Sequence, residues 1–236
     1  MSFLTGVDGI RYDALVTRNE VQLTMHQKHT ETECNTGDLT LKDFLSELGL
    51  DLSDVPSECD TNWPLFINSS VARPKTLIPI SSIQRLHAAT PPHHPDKFRD
   101  MCDAIESTGV YLYSSTTPTA IEPATSDKKI SIEFECRQFP RWSGYSEDPA
   151  TGIAAGALAA SLHKRQMLHH NIIDGGSCCT FYQGTAMGRP SRIHVEIGDY
   201  ELSDEGFSTT LKVTYTGFVV PDSESTRLID DIVAKT

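Results

Sequence analysis

The chain is short of basic residues: 20 Lys and Arg stand against 32 Asp and Glu in 236 residues, a formal net charge of −12. Affinity for nucleic acid or an anionic membrane rests on clustered cations, so neither partner is expected. The single basic cluster, His163-Lys-Arg, closes a helical stretch, where it complements the helix dipole. No apolar run approaches a membrane span, and the opening Met-Ser-Phe-Leu-Thr-Gly has neither a basic region nor an apolar signal core. A cytoplasmic protein is expected. The six cysteines (Cys34, Cys59, Cys102, Cys136, Cys178, Cys179) show no Cys-x-x-Cys spacing and read as reduced packing residues, with Cys178 and Cys179 on opposite faces of a strand. The pairs His93-His94 and His169-His170 lack helical i, i+4 spacing and an obvious carboxylate partner, and no Gly-rich phosphate loop follows a strand. Neither a metal nor an organic cofactor is expected. What the chain does have is ordinary for a globular protein, 38% hydrophobic and 22% charged residues, at a length that can bury a large core.

Alternation with a period of two over 10–17 and 20–25, joined by Arg18-Asn19, predicts a hairpin. Residues 30–40 are polar and read as a loop, after which Thr40 caps a helix over 41–48 that Gly49 stops. Strands are predicted over 63–70, 75–80, 109–114, 129–137, 178–183, 191–197 and 209–220, and helices over 81–88, 95–107 and 223–234. Residues 115–127 form a Thr, Pro and Ser-rich loop. Strands that pair locally, with one helix buried among them, make the fold class α+β.

That helix opens in 139–162, the stretch around which the chain is organised. Asp148 stands as N-cap with Pro149 at the first helical position, and 150–162 holds only small and apolar residues, so the helix is expected to be buried on all sides. Its first free N–H groups, on Thr151, Gly152 and Ile153, would face a cleft able to take a carboxylate or phosphate. A plain structural reading, a well-formed helix start with tight packing, fits the same residues equally well.

Arg137-Gln-Phe-Pro, Gly144, Glu147-Asp-Pro-Ala-Thr-Gly, Ala154, Gln183-Gly184 and Met187-Gly-Arg-Pro-Ser-Arg-Ile-His-Val-Glu196 together resemble the C-terminal half of the PhzF-like phenazine-biosynthesis family. The resemblance implies a diaminopimelate epimerase-like fold of two halves, each a curled sheet around a central helix, with the active site between the two helix N-termini. Here one complete half is expected over 109–222, preceded by an incomplete half over 1–108 and followed by a C-terminal helix over 223–236. The family's acid/base glutamate and histidine, expected before Phe3, have no counterpart in the sequence, and Ile153 replaces the usual Ser after Thr-Gly.

By the same resemblance Asp148 is the catalytic candidate, with Tyr145, Thr151, Gly152, Ile153, Gln183 and Arg189 as substrate-binding candidates and no metal. Tyr145, Gln183 and Arg189 have equally good structural readings, as a turn residue, a strand end and a side chain bonding loop carbonyls. Three functions stay open: a cofactor-independent isomerase of a small metabolite, a natural-product cyclase that keeps the pocket without the acid/base pair, and a non-catalytic remnant. A half without its own central helix would leave the apolar faces of 10–17 and 20–25 uncovered, so a homodimer is expected.

Overall fold

A computed structural model describes residues 2–4, 11–16, 20–34, 39–57, 62–116, 132–142, 144–168, 177–202 and 209–218. The elements are β1 (Ser2–Leu4), β2 (Arg11–Val16), β3 (Glu20–Lys28), β4 (Thr30–Glu33), α1 (Leu41–Glu47), β5 (Ile67–Ser70), β6 (Lys75–Pro79), α2 (Ile83–Ala88), α3 (Pro95–Ala104), β7 (Gly109–Ser115), β8 (Ile132–Pro140), α4 (Gly152–Lys164), β9 (Ser177–Gln183), β10 (Ser191–Leu202) and β11 (Thr209–Phe218). All described strands join one sheet in the order β1-β2-β3-β11-β10-β9-β8-β7-β6-β5-β4. Helix α4 packs against β5, β6, β9, β10 and β11, strands far apart in that order, so the sheet must curl around it. The fold is α+β with a curled, incomplete half-barrel, as expected. The sheet runs without interruption across residue 108, because β6 pairs with β7.

Two neighbouring pairs are parallel, β6 with β7 and β8 with β9, and β7 is antiparallel to β8. Both crossovers step the same way along the sheet while their strands run in opposite directions. The right-handed rule therefore sends their helices to opposite faces. So it is here: α4 lies inside the curl, and α2 and α3 lie outside. Alternation follows. Leu77, Tyr111, Tyr113, Phe134, Cys136, Cys179, Phe181, Val195, Val213 and Tyr215 face α4, while Ile78, Val110, Leu112 and Phe139 pack on Phe44, Leu86, Phe98 and Met101 outside.

Several expectations need correction. Residues 30–33 are not loop but the edge strand β4, whose Thr and Glu side chains carry no apolar alternation because it has no face in the core. Of 63–70 only β5 is strand; Trp63 instead closes the inner core, 5.4 Å from the Phe134 ring. Helix α3 ends at Ala104 and β10 continues to Leu202. His94, read as lacking a carboxylate, meets Glu47 at 3.2 Å, and Lys97 joins the same carboxylate. The five cysteines within the described residues are buried and form no disulfide with one another. The helix predicted over 223–234, Cys59 and the pair His169-His170 lie outside the described residues. Among the described residues no helix is long and apolar enough to cross a membrane.

Candidate active site

The end of the sheet where β8 and β9 finish is also where β6 and β7 begin, and α4 starts there. A ligand is expected at the carboxyl ends of parallel strands flanking a crossover helix. The segment between β8 and α4 is held from outside the curl. The Arg137 guanidinium forms a two-pronged pair with Glu147, at 2.8 and 2.6 Å, with both side chains 5% exposed. It also donates to the carbonyls of Leu86, His87 and Ala89 at the end of α2. The next residue, Asp148, is anchored by its backbone, its N–H donating to the Gln138 carbonyl at 3.0 Å.

The helix start differs from the sequence expectation. The N-cap is Thr151, and Asp148 and Pro149 precede the helix. Gln183, fully buried at the end of β9, decides this: its Oε1 accepts from the Thr151 N–H at 3.3 Å while its Nε2 donates to the Asp148 carbonyl at 2.6 Å. A side chain 32 residues downstream holds the entry, a contact no local pattern encodes. The Thr151 N–H is thus not free, and the remaining open donors of the first turn are Gly152 and Ile153. The Asp148 carboxylate accepts from the Thr151 hydroxyl at 2.7 Å and from the Ala150 N–H at 3.2 Å. Ser191 donates to the Pro149 carbonyl at 2.7 Å, tying the β9–β10 turn to the same corner.

The structure thus brings together Asp148, Thr151, Gly152, Ile153 and Gln183. Thr151, Gly152 and Ile153 are half-buried, and Ile153 lies against the inner core. Tyr145 stands apart, 54% exposed, in a cavity of ≈ 250 Å³ that it shares with Pro92, Phe98 and Trp142 on the outer side. Arg189 is exposed in the turn after β9, where its N–H donates to the Gly184 carbonyl at 3.0 Å.

Two inner-face groups went unnoticed in the sequence. Lys75 begins β6 with the same parity as Leu77, is 7% exposed, and donates only a 3.4 Å bond to the Thr108 carbonyl. Burial lowers its pKa to about 8, against the opposing pull of the Asp148 carboxylate. Gln138 has the parity of Cys136 and is 1% exposed, yet among the described residues neither end of its amide has a hydrogen-bond partner. For Lys75, a polar residue at a core parity of the strand predicted over 75–80 was the available signal; Gln138 falls one residue beyond the strand predicted over 129–137, which β8 extends to Pro140. Among the described residues no three His, Cys, Asp or Glu side chains cluster as metal ligands.

A curled sheet thus wraps an apolar helix, with the Asp148 carboxylate at the helix entry. The chain belongs to the PhzC-PhzF phenazine biosynthesis-like protein family, whose model matches residues 17–214. It is similar to the crystal structure of a Bacillus anthracis phenazine biosynthesis protein of the PhzF family, with a TM-score of 0.62 and 16% identity, over 89% of this chain and 63% of that one. It is also similar to a predicted epimerase from Pseudomonas aeruginosa, with a TM-score of 0.58 and 19% identity, over 93% of this chain and 64% of that one. The chain therefore spans less than two thirds of either structure. No curated protein matches it significantly.

Proposed function

We propose that the chain is a cofactor-independent isomerase that moves a proton on a small carboxylated or carbonyl-bearing metabolite. The carrying observation is Asp148, a carboxylate held at the entry of the central helix by its own backbone, the Thr151 hydroxyl and the Ala150 N–H. These contacts fix where the carboxylate stands, within reach of a proton on a molecule bound at the helix entry. The open N–H groups of Gly152 and Ile153 are donors for negative charge that grows on a neighbouring oxygen as the proton leaves. Family membership supports the same reading.

A natural-product cyclase is the second reading. Ile153, apolar and half-buried in the first turn, suits a cleft that shapes a reactive chain without acid/base chemistry. One experiment separates them. The protein is incubated in D2O with a panel of small α-hydroxy, α-amino and unsaturated carboxylates, and deuterium incorporation is read by NMR. Exchange in the wild type, falling by about 10²–10⁴-fold in Asp148→Asn, supports the isomerase. Turnover that survives Asp148→Asn supports the cyclase, and no turnover of any kind would leave a non-catalytic chain.

A further inference from the structure

The groups at the start of β6 and β7 leave hydrogen-bonding capacity that the fold does not use. Register places Lys75 beside Gly109, since Thr76 pairs with Val110, and Gln138 opposite Tyr111. Both side chains come to Gly109. Lys75 Nζ bonds the carbonyl of the preceding residue, Thr108, and Gln138 Nε2 lies 2.7 Å from where a Gly109 Cβ would stand. Gly109 has φ +139, and a side chain there would also collide with the Phe139 carbonyl, so only glycine lets the Gln138 amide and the β8 backbone come this close. An ammonium has three donors and an amide has two, and buried donors are normally all satisfied. Among the described residues Lys75 makes one long bond and the Gln138 amide makes none, and the first-turn N–H groups of Gly152 and Ile153 receive no side-chain cap.

We propose that Lys75 and Gln138 form an anionic-oxygen subsite facing Asp148, taking a carboxylate or carbonyl oxygen of the substrate; the catalytic part of this rests on the proton-transfer reading above. Asp148 takes the proton from the carbon next to the bound carbonyl. The C–H electron pair becomes the new C=C bond, and the carbonyl π pair moves onto oxygen, where the Lys75 ammonium and the Gln138 N–H hold it. Return of the proton from Asp148 to a carbon conjugated with this one, as the oxygen's electron pair re-forms the carbonyl, shifts the double bond and completes the isomerisation with no oxidant or reductant. The charges facing Lys75 are Asp148 from the segment before α4 and Arg73 from the turn before β6, with the Cys102 thiol reaching it from α3.

The test uses the 236-residue protein with 13C at lysine Cε and 15N at glutamine side chains, and oxalate as the probe. Oxalate is expected to shift the Lys75 Cε and Gln138 Nε2 resonances saturably and to raise the pH at which Lys75 titrates by about one unit, a tenfold linkage between binding and protonation. Lys75→Met is expected to weaken oxalate at least about tenfold while raising Tm, because a buried charge used only for binding is kept at the expense of stability. Should Lys75→Met fail to fold, Gln138→Leu carries the test, with weaker oxalate binding and an unchanged far-UV circular dichroism spectrum. Resonances that stay still up to the solubility limit of oxalate, or variants that bind it as the wild type does, overturn the subsite. Oxalate binding without deuterium exchange on any substrate overturns the isomerase reading and leaves the subsite standing.

Discussion

Lys75 and His29 are two buried bases whose effects on stability have the same sign and different pH windows. Burial lowers the folded pKa of Lys75 to about 8, from an ordinary value of 10.5. A depressed folded pKa means that the native state binds protons less readily, so stability is lost as pH falls from the unfolded value through the folded one. Below about pH 8 the full penalty stands, on the order of 3 kcal/mol for a shift of this size. Lys75→Met should therefore stabilise the protein by up to that amount at pH 7 in urea titrations, and the gain should fade between pH 8 and 10.5. His29 lies 3.0 Å from the Ser69 hydroxyl, and burial lowers its pKa from 6.5 to about 4, with Glu31 opposing and Lys164 and Arg165 assisting. Its contribution is complete above pH 6.5 and drains away toward pH 4. His29→Gln should flatten the acid limb of the stability–pH profile; an unchanged limb would show that other groups control it. Asp148 was legible because it sits in a contiguous motif. Lys75 was not, because its importance comes from β6 lying beside β7, a pairing formed after two intervening helices.

At the scale of elements, α4 was the most legible feature, since the uncharged run of small and apolar residues over 150–162 has no polar face and must be buried. What the local pattern could not supply was the start of the helix, set by Gln183, or the closeness of its packing. A Cβ on Gly156 would overlap the Tyr215 hydroxyl, which donates to Gln27 at 2.8 Å and joins the helix to β3 and β11. Gly156→Ala gains about 1 kcal/mol of helix propensity. Against this stand overpacking, at about 1–3 kcal/mol, and the loss of a buried hydrogen bond at about 1–3 kcal/mol. Clash should win, with a net destabilisation on the order of 2 kcal/mol in urea denaturation. The segment leading into α4 depends on the Arg137–Glu147 pair in the same way. Glu147→Ala leaves a buried guanidinium without its carboxylate and should cost about 3–5 kcal/mol. Activity should fall beyond what the lost stability explains, because the neighbouring Asp148 loses its fixed backbone; variants compared well below their own Tm read this directly. Strand β4 was missed for the opposite reason, since an exposed edge strand of alternating Thr and Glu needs no apolar pattern to pair.

At the scale of the whole molecule, the curled sheet was legible from the family motifs and from the order of strands, while its extension past β11 by β3, β2 and β1 was not. Strands β1, β2 and β3 follow the chain's start yet extend the sheet beyond β11, pairing β3 with a strand some 190 residues later, and no local signal marks a partner so distant. Helix α4 reaches β11, and the sheet continues three strands past it. The sequences of β2 and β3, Arg-Tyr-Asp-Ala-Leu-Val and Glu-Val-Gln-Leu-Thr-Met-His-Gln-Lys, still alternate apolar with polar residues, the pattern of strands with one face to bury. A fully buried Val, Leu or Ile contributes roughly 1.5–3 kcal/mol relative to exposure, so three or four left in water would offset much of a domain's net stability. A second copy related by a two-fold axis presents the same face and covers both at once. The edge at β4, where Thr30, Thr32 and Glu33 are exposed and Glu31 pairs with Lys164 and Arg165, has by contrast no apolar face to cover. The dimer is therefore expected to form through the β1–β3 wing. Light scattering at micromolar concentration should give twice the 26.0 kDa chain mass, and Leu23→Asp in β3 should reduce it to the single chain with a lower Tm. A monodisperse, active and thermally stable species at 26.0 kDa would show instead that one chain covers its own wing.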